Sequence, residues 1–143
     1  MKNKVVQICS LVLLLAGLTI SAPAQTPEYR ASIPFDFNIG NKTLPAGDYI
    51  VALADFIDSR NVLTIREAKS EKSQIVMFSQ KSSKKPVELS ELAFNRYDKQ
   101  YFLAEIISPT IYGAFSRTTA ETRLAETQTP VRETVAITKQ AGN

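Results

Sequence analysis

The sequence contains no histidine and no tryptophan, and its single cysteine, Cys9, lies close to the N-terminus. Without an imidazole, Ser-His-Asp and Cys-His catalysis are excluded, and so are zinc sites that depend on histidine. With one cysteine, no disulfide can form within the chain. The fold must therefore be held by apolar burial and by backbone hydrogen bonds.

The N-terminal segment has the organisation of a Sec-type signal peptide. Lys2 and Lys4 precede an apolar run, residues 5–20, which is followed by the small-x-small pattern Ala22-Pro23-Ala24 before Gln25. The run is shorter than the roughly 20 residues that a spanning helix needs. We therefore predict a signal helix over residues 1–24, cleavage between Ala24 and Gln25, and an exported product, periplasmic or extracellular, with no stable membrane span after cleavage.

Cleavage also removes Cys9 and changes the charge of the chain. Loss of the two leader lysines lowers the 17 basic residues to 15 against 14 acidic residues, which gives a net charge of +1. A nearly neutral chain has little long-range attraction for a polyanion. The composition therefore argues against a nucleic-acid partner.

The mature chain of 119 residues (143 less 24) has the usual length of one domain. We predict a flexible lead over residues 25–31, a single β-rich domain over 32–138 and a loose C-terminus over 139–143. Apolar and polar residues alternate from Ser32 to Ile39, which is typical of a half-buried strand. Pro34 cannot donate a ladder hydrogen bond, so either this strand lies at an edge or Pro34 faces solvent.

Several further segments show strand patterns separated by turn residues. Predicted hairpins join 62–67 to 74–79 and 89–96 to 101–107, and a closing strand is expected at 131–137. Between them, Thr118 and Glu121 match a capping box, which predicts a short helix over Thr119–Ala125. Together these patterns predict a mainly β fold, an antiparallel sandwich or a small barrel with one short helix.

Three motifs give the chain a resemblance to a known family. They are Ile33-Pro34-Phe35-Asp36-Phe37 with Gly40, Leu44-Pro45-Ala46-Gly47-x-Tyr49, and Phe94-Asn95-Arg96-Tyr97 leading into Tyr101-Phe102-Leu103. Over about residues 30–125 the chain resembles a family of small exported acidobacterial proteins of unknown function. The resemblance implies export and a β-rich fold, and it brings no catalytic residues.

Two of these motifs contain candidate contact residues. In the Leu44–Tyr49 segment, Pro45 and Gly47 are interpreted as structural turn residues, with Gly47 in a conformation that a β-carbon would forbid. Tyr97 and Tyr101 flank a predicted hairpin tip. They are candidate ligand contacts, although packing of the two rings across the strands is the alternative that the pattern favours.

Two polar segments also invite a functional interpretation. Asp55, Asp58, Ser59 and Asn61 offer oxygen atoms of the kind calcium prefers, but they lack the glycine and the distal glutamate of an EF-hand, so a solvated loop is expected. Lys81, Lys84 and Lys85 form a small basic patch, which is expected to be a soluble connection between strands. Neither segment predicts a metal or a cofactor.

Catalysis would depend on carboxylates, and no spacing singles out a pair among Asp36, Asp55, Asp58, Glu88, Glu91 and Glu105. The sequence therefore favours an exported, non-enzymatic β-rich domain, without a cofactor, that binds or packs against an envelope or extracellular protein or glycan. Two alternatives stay open: a small carboxylate-dependent hydrolase or lyase, and an assembly subunit that pairs through its edge strands.

Overall fold

The computed structural model describes residues 26–54, 61–70, 72–81 and 89–140, and within them the chain is mainly β. The predicted signal helix, residues 1–24, lies outside these ranges. The strands are β1 (Glu28–Ile33), β2 (Phe37–Ile39), β3 (Lys42–Leu44), β4 (Gly47–Leu53), β5 (Val62–Glu67), β6 (Ser73–Met77), β7 (Ser79–Gln80), β8 (Glu91–Tyr97), β9 (Gln100–Ile107), β10 (Tyr112–Ala114) and β11 (Val131–Lys139), and the helix α1 is Thr119–Ala125.

All of these strands belong to one curled sheet, a half-barrel. The strand order is β3-β2-β9-β8-β11-β1-β4-β5-β6, and β10 joins β9 to β7. The pairing of β2 with β9 is parallel, so the sheet is mixed. The mainly β fold is confirmed, and of the two predicted forms the half-barrel is nearer to the barrel than to a sandwich, because β11 joins the strands into one sheet by pairing with β8 through residues 131–136 and with β1 through residues 137–139.

The concave side of the curl holds the apolar core. The largest fully buried side chains come from β1, β2, β4, β5, β8 and β9. Aromatic rings meet edge to face at its centre, where the Phe37 ring contacts both Tyr49 and Phe94. Burial of each large apolar side chain contributes about 1.5–3 kcal/mol. With no disulfide available, this core and the ladder stabilise the domain.

The predicted strand from Ser32 to Ile39 is in fact two strands. The ladder stops at residues 34–36, because Pro34 has no N–H to donate, and it resumes in β2 next to different neighbours. β1 pairs on both sides, with β4 and β11, so the edge position is wrong, whereas the alternative is confirmed because Pro34 is exposed to solvent. The alternation continues across the break because both strands bury their odd-numbered residues.

The ends of the ordered domain extend further than the sequence predicts. Residues 28–31, assigned above to a flexible lead, form the first part of β1. β11 ends at Lys139, which pairs with Tyr29 and so belongs to the sheet rather than to a loose C-terminus. β1 and β11 pair with each other, and this pairing orders both ends of the domain. Because the two strands are far apart in the sequence, no local sequence pattern predicts their pairing.

Both predicted hairpins and the helix are confirmed. β5 pairs with β6, and β8 pairs with β9 around a tight turn in which Asp98 has a φ of 54°, a left-handed conformation that aspartate tolerates better than most residues. The helix α1 has the predicted bounds, and the Glu121 backbone N–H donates to Thr118 Oγ1 at 3.1 Å. The returning half of the capping box is different, because the Glu121 carboxylate contacts the sheet instead.

The stretch from Ser73 to Lys81 changes neighbours halfway along. Its first part, β6, pairs with β5, and its second part, β7, pairs with β10. Only Phe78 separates the two, and its ring packs directly on Gly113 of β10. Within the described residues, β6 has no neighbouring strand on the side away from β5, and β7 has none on the side away from β10.

Candidate functional site

The Leu44–Tyr49 turn is closed by its own residues. The Tyr49 hydroxyl donates to the Pro45 carbonyl at 2.6 Å, and the Ala46 N–H donates to Asp36 Oδ1 at 2.8 Å. Asp36 belongs to the first motif and Tyr49 to the second, so the two conspicuous motifs form one structural unit. Burial, and then the charges of Glu67 and Asp36, raise the pKa of the Tyr49 phenol, which keeps it a neutral donor. The Pro45 turn therefore acts structurally.

Gly47 does not have the conformation that the sequence predicts. It begins β4 opposite Ile33, its φ is not positive, and a β-carbon there would lie 3.8 Å from the Tyr49 ring, an ordinary contact. The glycine with a left-handed backbone is Gly40, with a φ of 53°, in the turn between β2 and β3. The β2–β3 turn therefore depends on Gly40 for its left-handed backbone, and the conformation predicted for Gly47 is wrong.

Tyr97 and Tyr101 lie on opposite faces of the β8–β9 hairpin. Tyr97 pairs with Gln100 and is buried, with its ring edge-on to Phe102, whereas Tyr101 pairs with Arg96. The Tyr101 ring stacks on Phe35 at a centroid distance of 3.7 Å. The predicted packing of the two tyrosines on each other is therefore wrong, and they do not line one common surface.

Helix α1 attaches to the Tyr97 face of the hairpin through a buried carboxylate. Glu121 is 3% exposed, and its Oε1 accepts a hydrogen bond from Asn95 Nδ2 at 2.7 Å and a long one from the Tyr97 hydroxyl at 3.5 Å. Burial, and then the negative charge on Glu121, raise the pKa of the Tyr97 phenol. The nearest cation is Arg117, whose Nε lies 3.9 Å from Oε1 on a side chain that is 55% exposed.

Among the described residues, no strand pairs with the outer edge of β6, so its outward backbone groups have no ladder partner there. The Phe78 N–H donates to the Asn61 carbonyl at 2.9 Å, which fixes the alternation of the antiparallel ladder with β5. In such a ladder, successive residues present their N–H and C=O groups to opposite edges. The groups of residues 74 and 76 therefore point toward β5, and those of Ser73, Ile75 and Met77 point away from it.

The same edge is covered a few residues later. The backbone of Lys81 donates to the Tyr112 carbonyl at 2.8 Å, and Ser79 pairs with Ala114, so odd-numbered residues bond to β10 from position 79 onward. β10 ends at Ala114, and α1 begins at Thr119. The position beside Ser73, Ile75 and Met77 is thus the one that β10 would occupy if it continued.

A groove of about 300 Å³ opens at this position, and its volume is at the lower end of the range for ligand sites. We call it the β6–α1 groove. Residues 75–77 of β6 line it together with Asn38 of β2 and Gly40 of the β2–β3 turn. The other described residues in its lining are Phe102, Leu103, Phe115, Ser116, Thr118 and Glu121. A second cleft of about 380 Å³ adjoins it along α1 and includes Arg123.

The β6 side of the groove is apolar and exposed. Ile75 is 58% exposed and Met77 is 75% exposed, and residues 73–80 contain no charged side chain. Edge strands in soluble proteins are usually protected by lysine, proline, a bulge or a covering segment. The sequence pattern predicted a strand here, but it gave no sign that the strand would lack a neighbour, since that depends on where β10 ends.

Lys81, the first member of the predicted basic patch, belongs to an ion-pair cluster. Its Nζ lies 2.6 Å from Glu105 Oε1, and Arg132 Nη2 lies 2.7 Å from Glu105 Oε2. Burial of the Glu105 carboxyl opposes ionisation, but the hydrogen bonds from the two cations outweigh it and lower its pKa. Glu105 therefore ties β7 and β11 to β9.

The other sequence candidates fall partly outside the structure. The residues outside the described ranges are Asp55, Asp58, Ser59, Lys84, Lys85 and Glu88, and the cleavage-site residues Ala22, Ala24 and Gln25. Asn61 is exposed in the turn just before β5. Among the residues that are described, no group of three or more Asp, Glu, His or Cys side chains is arranged to hold a metal ion.

None of the helices in the described ranges is long and apolar enough to cross a membrane. No protein-family model, no curated protein and no solved structure matches the chain. The resemblance drawn from its three motifs therefore stays a prediction.

Proposed function

We propose that this protein is an exported, non-enzymatic domain that binds an extended segment of an envelope or extracellular protein in the β6–α1 groove. The segment adds to the sheet as a strand beside β6, in line with β10. The observation that carries this proposal is the outer edge of β6, where the backbone groups of Ser73, Ile75 and Met77 lie next to an open groove and have no strand partner among the described residues. Strand addition to an exposed edge is a common mode of peptide recognition.

The chemistry of the groove supports binding of a chain rather than of a glycan. Its lining combines the apolar side chains of β6 with Phe102 and Phe115, and the backbone edge supplies alternating donors and acceptors. An extended peptide satisfies both at once, because its backbone pairs with β6 while alternate side chains face the groove. Tyr97 and Tyr101, the aromatic candidates for stacking on a sugar, lie on opposite faces of their hairpin.

The experiment uses proline to remove one outward donor. Because the Ile75 N–H points away from β5, Ile75→Pro deletes a hydrogen bond to a guest strand while leaving the β5 ladder intact. Peptides selected from a displayed random library on the wild-type protein serve as probes, and their affinity is measured by fluorescence anisotropy. We expect Ile75→Pro and Met77→Lys to weaken binding by about tenfold or more, with the melting temperature nearly unchanged.

The matched control changes an exposed apolar residue elsewhere on the sheet. Val131→Lys, on β11, removes an apolar side chain that is about as exposed as Ile75 and should leave affinity unchanged. If the selected peptides bind Ile75→Pro and Met77→Lys as tightly as the wild type, the β6 edge is not the binding site and the proposal is wrong.

The same edge favours a second candidate, an assembly subunit in which the added strand comes from another copy of the chain. Without charged residues in 73–80, two such edges would meet without like-charge repulsion. Sedimentation velocity distinguishes the two, since an assembly subunit would form a dimer that Ile75→Pro dissociates, whereas a peptide-binding domain would sediment as a monomer.

A further inference from the structure

Of the described residues that line the β6–α1 groove, Glu121 is the one with a charged side chain. The rest of the lining is apolar or neutral, and the strand that would hold the guest is uncharged. A carboxylate in such surroundings is screened much less than one on an open surface, so its attraction for a nearby cation is strong. The groove therefore favours a ligand with a positively charged group near Glu121.

The contacts of Glu121 provide no close cation for its carboxylate among the described residues. Asn95 and Tyr97 are neutral donors, and both bond to Oε1, the oxygen that also lies nearest Arg117. The separation of 3.9 Å from Arg117 Nε exceeds hydrogen-bond length, and the arginine side chain is 55% exposed. Arg117 thus neutralises the buried carboxylate only loosely and from the solvent side.

We infer that the segment bound beside β6 carries a lysine or arginine whose side chain pairs with Glu121, with apolar residues at neighbouring positions against β6 and Phe115. This inference rests on the proposed function and adds the kind of sequence that the groove accepts. A cation brought by the guest would approach the carboxylate from inside the groove, where water is displaced as the segment binds. Specificity follows, because a neutral or acidic residue at that position would leave Glu121 with only the loosely held Arg117 as a cationic partner in a drier site.

Arg117 is then a competitor for the same carboxylate. Since it occupies the solvent side of Glu121 in the unbound protein, a guest lysine must displace it or share Oε1 with it. Removing this arginine should increase the advantage of a cationic guest. Arg123 lines the adjoining cleft and has no contact with Glu121 in the described structure, so it provides a matched control of the same charge on the same helix.

The test is a double-mutant cycle between protein and peptide. The probes are short synthetic peptides of alternating valine and threonine, capped at both ends, in which one lysine is moved along the chain, and the same peptides with glutamine in place of lysine. We expect the best lysine peptide to bind wild-type protein about tenfold more tightly than its glutamine counterpart. Glu121→Gln should reduce that ratio to about one, Arg117→Gln should raise it, and Arg123→Gln should leave it unchanged.

Glu121 also fixes α1 to the sheet, so folding of Glu121→Gln is verified by its melting temperature and near-ultraviolet circular dichroism. If that variant does not fold, the rise expected for Arg117→Gln still decides the question. A lysine-to-glutamine ratio near one at every position, or a ratio that Arg117→Gln leaves unaltered, would overturn the inference while the proposed function stands. Failure of wild-type protein to bind any of the peptides, or a dimer through β6 that the peptides cannot dissociate, would overturn both.

Discussion

The Leu44–Tyr49 turn and the β6 edge make an instructive contrast. The turn has the most conspicuous sequence in the chain, yet its polar groups are used internally, by Asp36 and by the Pro45–Tyr49 hydrogen bond. The β6 edge has an unremarkable sequence, yet it presents unpaired backbone groups and two exposed apolar side chains. A conspicuous motif can therefore record a requirement of folding, while a surface suited to binding arises where a neighbouring strand ends.

The largest effect that tests this contrast comes from the turn. Tyr49→Ala removes a buried ring that contacts Phe37 and a hydroxyl that closes the turn, so we expect unfolding to become easier by about 3–5 kcal/mol. Ile75→Ala, on the exposed edge, should change stability by less than about 0.5 kcal/mol. Urea unfolding of both variants measures the difference, and similar losses of stability in the two would contradict the contrast.

The next effect concerns the junction where β6 becomes β7. A β-carbon at Gly113 would overlap the Phe78 ring, so Gly113→Ala must displace the residue that separates the two strands. We expect a loss of about 1–3 kcal/mol, the usual cost of overpacking. Thermal unfolding measures it. Double substitution with Phe78→Leu, which leaves more room for the new methyl group, should recover part of the loss, and an additive effect of the two changes would argue against direct overlap.

A smaller effect separates the two glycines of the motif region. Gly40→Ala places a β-carbon on a residue with a φ of 53° and should cost about 1–2 kcal/mol. Gly47→Ala should be nearly neutral, since its φ is not positive and the new methyl group would make an ordinary contact with Tyr49. Equilibrium unfolding of the two variants measures the difference in stability. A larger loss of stability for Gly47→Ala than for Gly40→Ala would support the sequence-based prediction that Gly47 needs a conformation a β-carbon forbids.

The smallest effect is the pH dependence of the Glu105 cluster. Because its pKa is lowered in the folded state, Glu105 contributes stability above its ordinary pKa of about 4.5, and this contribution is lost as the pH falls through the lower folded value. Lys81 and Arg132 are partly exposed, so the contribution should be below about 1 kcal/mol. Comparison of wild-type protein with Glu105→Gln between neutral and acid pH should show the two stability curves converging as the pH falls; parallel curves would exclude a role for this carboxylate.

Much of the local structure was predictable from the sequence because its causes are local. Alternation of apolar residues located the hairpins, and Thr118 with Glu121 gave the bounds of α1. The features that were missed depend on distant pairings. The chain breaks at Pro34 into strands with different neighbours, and the long partnership of β1 with β11 orders both ends.

The candidate site was hidden from sequence reasoning for the same reason. Nothing in the composition of residues 73–77 shows that β10 stops short and leaves their outer edge uncovered. Glu121 was recognised as a helix-capping residue, and its carboxylate turned out to face the sheet and the groove. The composition of 73–80 even points the other way, because edge strands are usually protected by a charge or a proline and this stretch has neither.

Amide hydrogen exchange across β6, followed by nuclear magnetic resonance with and without a selected peptide, tests the central claim most directly. In the free protein, the amides of Ser73, Ile75 and Met77 should exchange quickly, while those of Gln74 and Val76, bonded to β5, should be protected. Saturating peptide should slow the exchange of the three outward amides and leave their neighbours as they were. Protection of Ser73, Ile75 and Met77 that the peptide leaves unaltered, with changes confined to another strand, would contradict the account.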